Sequence, residues 1–216
     1  MLKLVIFDHD GLMVNSEIVV FSALNDLFKR HNHNFGWDYF VKHIGMSVSE
    51  SLEIFYKDFP LAITFDEFYS LRNEIVAKHI EKDLQLMPGL LPLLKTIKNL
   101  GIDMAVSTSG KREYIESSLN RFDIADFFTT VVCIEDVTRG KPYPDLVLKC
   151  LKNVNVAAKH AVMLEDSPHG IDAANRAGVF SIAVPTKSMD LNKFADAKLI
   201  LPDLETLNNL FMFLKK

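Results

Sequence analysis

From Leu90 onward the chain repeats one pattern, in which a helical stretch leads into a short apolar run that ends in polar residues. Leu90 to Leu100 has helical periodicity and stops at Gly101, a C-terminal cap signal, and Ile102 to Val106 then reads as a strand. The same reading gives helices over Arg112 to Phe122, Pro144 to Asn153, His169 to Ala177 and Leu204 to Leu214. Strands fall at Thr130 to Ile134, Ala161 to Leu164, Val179 to Val184 and, briefly, Lys198 to Leu201. Strands alternating with helices at this spacing specify an α/β fold, a doubly wound parallel sheet with helices on both faces.

One more strand, Leu2 to Ile6, opens the chain. Between it and Met87-Pro88-Gly89 every periodic segment is helical. Ser16 to His31 carries Val20, Leu24, Leu27 and Phe28 on one face. Further faces are made by Trp37, Phe40, Val41 and Ile44; by Leu52, Ile54, Phe55 and Phe59; and by Phe65, Phe68, Leu71, Ile75, Val76 and Ile80. The expected organisation is an α/β core of residues 1–15 and 86–216 with a helical bundle, residues 16–85, inserted after the first strand. The basic and histidine residues of that insertion, Arg72, Lys78, His79, His31 and His33, are expected mostly on solvated faces.

A net charge of −4 over 216 residues leaves no electrostatic footprint for nucleic acid or an anionic membrane. No apolar run approaches the roughly 20 residues of a membrane span, and the N-terminus lacks the n-region and h-region of a signal peptide. Cys133 and Cys150 have no metal-ligand spacing and read as structural thiols of a reduced, cytoplasmic chain. A monomer or weak homodimer is expected.

The chemistry sits at the strand ends, where open parallel sheets bind their ligands. Asp8-His9-Asp10-Gly11 follows the first strand and sets two carboxylates two residues apart. Hard oxygen donors of this kind suit Mg²⁺, although a solvated acidic turn is an equally common source of Asp-x-Asp-Gly. Ser107-Thr108-Ser109-Gly110-Lys111 follows the second strand, and short hydroxyls ahead of a helix suit an anion, though a plain helix cap is commoner. It is no Walker loop, because Ala105 and Glu135 stand where the Gly-Lys pairs at 110–111 and 140–141 would need an upstream glycine. Gly140-Lys141-Pro142-Tyr143-Pro144-Asp145 holds a lysine on a stiffened approach to a helix. Glu165-Asp166 ends another buried strand, where the helix dipole explains one acid better than two. Acid, hydroxyl, lysine and acid on successive strand ends together suit one phosphoryl-transfer site.

This ordered set resembles the haloacid dehalogenase superfamily, in the branch of phosphatases and β-phosphoglucomutases with a helical cap after the first strand. The resemblance covers essentially the whole chain. It implies that Asp8 is a nucleophile forming an aspartyl phosphate, and that Asp10 protonates the leaving alcohol and then activates water. It implies Mg²⁺ held by Asp8, the backbone carbonyl of Asp10, and Asp166, with Glu165 as a ligand or as the group orienting one. Gly11, Ser107, the N–H of Thr108, Ser109 and Lys141 would contact the substrate and hold its phosphoryl oxygens. His9, where the family usually carries an apolar residue, is read as structural, with its side chain facing away from the two acids. Asn15 stands where many relatives carry Asp.

The resemblance further implies hydrolysis of a small phosphorylated metabolite: a sugar phosphate, a glycolate- or glycerol-type phosphate, or a nucleotide. A β-phosphoglucomutase-type mutase is the alternative. Its cap histidine aligns with Val20 and its cap arginine with Val48 of Gly45-Met46-Ser47-Val48, while a cap lysine aligns with Arg72. Two apolar residues at these three places favour hydrolysis. Dehalogenases lack the second aspartate, and phosphonate hydrolases need a Schiff-base lysine that has no candidate here. A binding protein that has lost catalysis would have no need for all four motifs.

Overall fold

The computed structural model describes residues 1–44, 46, 48–186 and 189–213. The chain divides into two compact units, Met1–Val14 with Leu86–Lys216, and Asn15–Gln85.

The first unit is built on a sheet with strands β1 (Leu4–Phe7), β2 (Asp103–Ser107), β3 (Thr130–Val132), β4 (Ala161–Glu165), β5 (Phe180–Ala183) and β6 (Leu199–Ile200). Their spatial order is β3-β2-β1-β4-β5-β6 and every pairing is parallel. The order reverses direction between β1 and β4, which makes the carboxyl ends of those two strands the natural ligand crevice.

Side-chain alternation along β1 divides the core in two. Val5 and Phe7 face a cluster completed by Leu90, Leu93, Leu94 and Ile97, by Ile115 and Leu119, and by Leu204, Leu207 and Phe211. Leu4 and Ile6 face the other, completed by Leu146, Val147, Cys150 and Leu151 and by Ala173 and Ala174. Helices therefore cover both faces, as the alternation in the sequence requires.

The second unit contains helices α1 (Ser16–Arg30), α2 (Trp37–Phe40), α3 (Val48–Asp58) and α4 (Phe65–Asp83). Its core gathers Ala23, Leu24, Leu27, Phe28, Phe35, Phe40, Leu52, Phe55, Phe68, Ile75 and Val76. Phe35 lies within 5.2 Å of Phe28, Phe55 and Phe59 between ring centroids, in stacked and edge-on pairs favoured by the ring quadrupoles. Helix α4 starts at a capping box, in which Thr64 Oγ1 accepts from the Glu67 N–H and Glu67 accepts from the Thr64 N–H.

The division falls one residue earlier than the periodicity places it. The Asn15 Oδ1 accepts from the Gln85 N–H at 2.8 Å, and the Asn15 N–H donates to the Gln85 carbonyl at 3.1 Å. Asn15 thereby joins the two ends of the helical unit, while Val14 pairs antiparallel with Leu86 in the first unit. One side-chain and one backbone hydrogen bond between the same two residues, invisible to hydrophobic periodicity, set the boundary.

Three of the cap residues expected on solvated faces are partly withdrawn, among them His33, whose Nε2 is hydrogen-bonded to the Pro60 carbonyl at 2.8 Å. Arg72 is half-buried, and its Nε has no hydrogen-bond partner among the described residues. His79 is half-buried between Asp26 at 3.4 Å and Asp83 at 3.5 Å. The helix of Arg72 and His79, α4, packs along α1, and long side chains at its margins are covered by that packing. Among the described residues no helix is long and apolar enough to cross a membrane.

The remaining helices, all in the first unit, are α5 (Leu90–Asn99), α6 (Arg112–Arg121), α7 (Asp145–Val154), α8 (Pro168–Arg176) and α9 (Leu204–Phe213). The expected end of the last at Leu214 lies outside the described residues, as do Gly45 and Ser47 of the mutase comparison.

Candidate active site

Parallel register brings the predicted residues into one row. Phe7 pairs with Val106 on β2 and with Leu164 on β4. The next position on each strand is Asp8, Ser107 and Glu165, so three predicted residues are adjacent at the sheet's carboxyl edge. The Asp8 N–H continues the ladder to the Leu164 carbonyl at 3.0 Å. Beyond it the chain turns, with Gly11 at φ 79° and the N–H groups of Met13 and Val14 both donating to the His9 carbonyl. Only glycine takes that φ without strain.

Lys141, before α7, reaches into this row. Its ammonium donates to Asp8 Oδ1 and to Glu165 Oε1, and all three side chains are buried. Burial pushes the Asp8 carboxyl up to about 7 against the pull of Lys141, and the nearby Glu165 and Asp10 charges add to the rise. Burial opposes the charge on Lys141, but the carboxylates of Asp8 and Glu165 outweigh it and hold the ammonium above the ordinary lysine range.

Glu165 is fully committed. Its Oε1 accepts from Lys141, while its Oε2 accepts from the Ser167 N–H at 3.0 Å and the Ser167 hydroxyl at 2.9 Å. Ser167 also caps α8 by accepting from the Gly170 N–H at 3.1 Å. Gly170 is required, because a Cβ there would stand 1.8 Å from the Glu165 carboxyl. The arrangement gives Glu165 the work of holding Lys141. Ser167 and Gly170 were missed by sequence reasoning, although Ser-Pro at a helix start was a legible cap signal.

Asp8, Glu165 and Asp166 are buried with one carboxylate oxygen each within 4.8 Å of one another. With Glu165 engaged by Lys141 and Ser167, the hard anionic oxygens of Asp8 and Asp166 are the ones of this cluster that fit a divalent cation.

The Ser107 hydroxyl is buried and has no hydrogen-bond partner among the described residues. A buried polar group left in this state costs stability unless a ligand completes it, and a phosphoryl oxygen has the right chemistry. Two details differ from expectation. The Thr108 N–H donates to the Val132 carbonyl at 3.0 Å, because the β2–β3 ladder runs one residue past the strand, so it is not turned to a phosphate. The Thr108 hydroxyl accepts from the Gly110 N–H at 2.9 Å, and Ser109 is exposed. The start of α6 is also no open anion site, since Glu135 accepts from the Arg112 N–H at 3.1 Å.

His9 departs from expectation as well. It is fully buried, yet its Nδ1 lies 3.5 Å from Asp10 Oδ2. β1 ends at Phe7, so strand alternation no longer governs His9 and Asp10. Its Nε2 is hydrogen-bonded to Ser118 Oγ at 2.9 Å. The Tyr114 hydroxyl donates to Asp10 Oδ1 at 2.9 Å, and burial together with the Asp10 charge raises the Tyr114 pKa, keeping it a donor. Neither Tyr114 nor Ser118 belonged to any motif.

A parallel sheet of this order with buried carboxylates and a lysine at its carboxyl edge defines an α/β enzyme of the phosphoryl-transfer kind. The chain belongs to the haloacid dehalogenase-like hydrolases, whose family model matches residues 5–184. It is 30% identical over 207 residues to validoxylamine A 7'-phosphate phosphatase from Streptomyces hygroscopicus subsp. limoneus, covering 94% of this chain and 95% of that one. It is 27% identical over 178 residues to a phosphorylated carbohydrates phosphatase from Thermotoga maritima, covering 82% of each. Its fold matches that of a β-phosphoglucomutase from Clostridium difficile at a TM-score of 0.76 and 23% identity, over 100% of this chain and 97% of that one. With relatives named as phosphatases across its length, the chain is a phosphatase of this superfamily.

Proposed function

We propose that the protein hydrolyses a small phosphorylated carbohydrate or similar phosphomonoester, with Asp8 as nucleophile and Mg²⁺ as cofactor. The observation that carries this is the buried Asp8–Lys141–Glu165 row beside the Ser107 hydroxyl, which has no partner among the described residues. It offers a carboxylate, a fixed cation and an unused hydroxyl to one phosphoryl group. The relatives' names, which include a validoxylamine A 7'-phosphate phosphatase and a phosphorylated carbohydrates phosphatase, support the substrate class.

Asp8 attacks phosphorus through a carboxylate oxygen, and the bond from phosphorus to the leaving oxygen breaks. Asp10 gives its proton to that oxygen, so the alcohol leaves neutral. A water then attacks the aspartyl phosphate, Asp10 takes its proton, and phosphate departs with Asp8 restored. Lys141 holds the Asp8 carboxylate in place and balances the negative charge brought by the phosphoryl oxygens, and Glu165 anchors Lys141. Ser107 donates to a phosphoryl oxygen. Asp8, Asp166 and the backbone carbonyl of Asp10 would hold Mg²⁺, which when bound supplies charge that offsets repulsion between nucleophile and substrate.

The test is phosphate release from a panel of phosphorylated metabolites, with Mg²⁺, with chelator, and with Asp8→Asn as the blank. Mg²⁺-dependent release that the variant abolishes while remaining folded is the expected result. Turnover by correctly folded Asp8→Asn would sink the assignment. Rapid conversion of glucose 1-phosphate to glucose 6-phosphate would instead favour the mutase.

A further inference from the structure

Helix α6 places two polar side chains one turn apart, Tyr114 and Ser118, against Asp8-His9-Asp10, and the catalytic reading above uses neither. The Tyr114 hydroxyl donates to Asp10 Oδ1, and Ser118 Oγ is bonded to the buried His9 ring. The rings of His9 and Tyr114 meet edge to face, with centroids 5.4 Å apart and planes at 88°. Ser118 therefore holds His9, His9 packs against Tyr114, and Tyr114 holds Asp10. The His9 Nδ1 also lies 3.5 Å from Asp10 Oδ2, so His9 borders Asp10 directly as well as through the tyrosine ring.

The need for such a brace follows from exposure. The Asp8, Lys141 and Glu165 side chains are at most 9% exposed, whereas Asp10 is 38% exposed. A short carboxylate at a partly open site has rotamers that turn it toward water, away from a leaving oxygen. A proton donor must lie within hydrogen-bond reach of the atom it serves. A packing role alone would be met by phenylalanine.

We propose that Tyr114 is a positioning residue for Asp10, aiming its carboxyl group at the leaving oxygen, and that His9 and Ser118 hold Tyr114 in place for that work. The proposal rests on the reading of Asp10 as the group that protonates the leaving alcohol, and the experiment separates the two.

The experiment measures kcat/KM on phosphomonoesters whose leaving groups run from p-nitrophenol to simple alcohols, for the wild type, Tyr114→Phe, Ser118→Ala and Asp10→Asn. This parameter reports the steps through departure of the leaving group. Alcohols need the proton and p-nitrophenol does not. Tyr114→Phe is expected to lower kcat/KM about tenfold on alkyl phosphates and less than about twofold on p-nitrophenyl phosphate, a fraction of the effect of a full general acid. Ser118→Ala should show the same selectivity at smaller size, and Asp10→Asn the same selectivity at larger size. Equal loss of Tyr114→Phe activity on every substrate would make Tyr114 merely structural and overturn the proposal. So would wild-type selectivity in Tyr114→Phe alongside a selective loss in Asp10→Asn, and that pattern leaves the reading of Asp10 standing. An Asp10→Asn protein with no leaving-group selectivity would overturn both.

Discussion

Gly170→Ala sets two effects of opposite sign against each other. In a helix interior alanine is favoured over glycine by about 1 kcal/mol, and Gly170 lies within α8. The added Cβ, however, would stand 1.8 Å from both Cδ and Oε1 of Glu165. That overlap forces the Glu165 carboxyl out of its position, away from Lys141 and from both donors of Ser167. Separating a buried charge from its partners costs about 3–5 kcal/mol. The net expectation is destabilisation by about 2–4 kcal/mol, a fall in Tm of about 4–16 °C for a chain of this size. Lys141 loses its anchor in the same step, so kcat should fall about 100-fold, the usual consequence of misplacing a catalytic group by an ångström. Differential scanning calorimetry and phosphate release measure the two effects. The decisive comparison repeats Gly170→Ala in a Glu165→Ala background, where the overlapping atoms are gone. There the substitution should be neutral or stabilising by up to about 1 kcal/mol. The same cost in both backgrounds would refute the claim that Glu165 is what Gly170 makes room for.

In the helical unit, Thr64→Ala removes the side-chain half of the α4 capping box and should destabilise that unit by about 1 kcal/mol, read as a lower urea midpoint. The Thr64 N–H and hydroxyl hold the Glu67 carboxyl below its ordinary value, so the stabilisation is present above that value and is lost as pH falls through the folded-state pKa. The variant's stability should therefore change less with pH in the acid range than the wild type's; an unchanged acid profile would count against the box. Burial pushes the Cys133 thiol up to about 11 and the Cys150 thiol up to about 12. At pH 8 only about a thousandth of Cys133, and less of Cys150, would be thiolate. Both should react with a disulfide reagent slowly in native protein and quickly in guanidinium, and fast native labelling would contradict their burial.

The strand-end motifs were legible because each is local. A β-branched run followed by acids, hydroxyls or a glycine is written in consecutive residues, and parallel pairing then brings successive strand ends to one edge without further instruction. Periodicity likewise set the sheet-forming regions apart from a helical segment over 16–85, since periods of 2 and 3.6 differ in any window of that length. Hydrogen-bond partners were not legible, because they are settled by competition among groups far apart in the chain. The Thr108 N–H goes to Val132, the start of α6 is taken by Glu135, and both Glu165 oxygens are used by Lys141 and Ser167. Tyr114 lies 104 residues from Asp10 and carries no motif, so no spacing rule relates them. Burial raises the cost of every unmet donor or acceptor, and which partner meets it depends on the register and packing that only the folded sheet supplies.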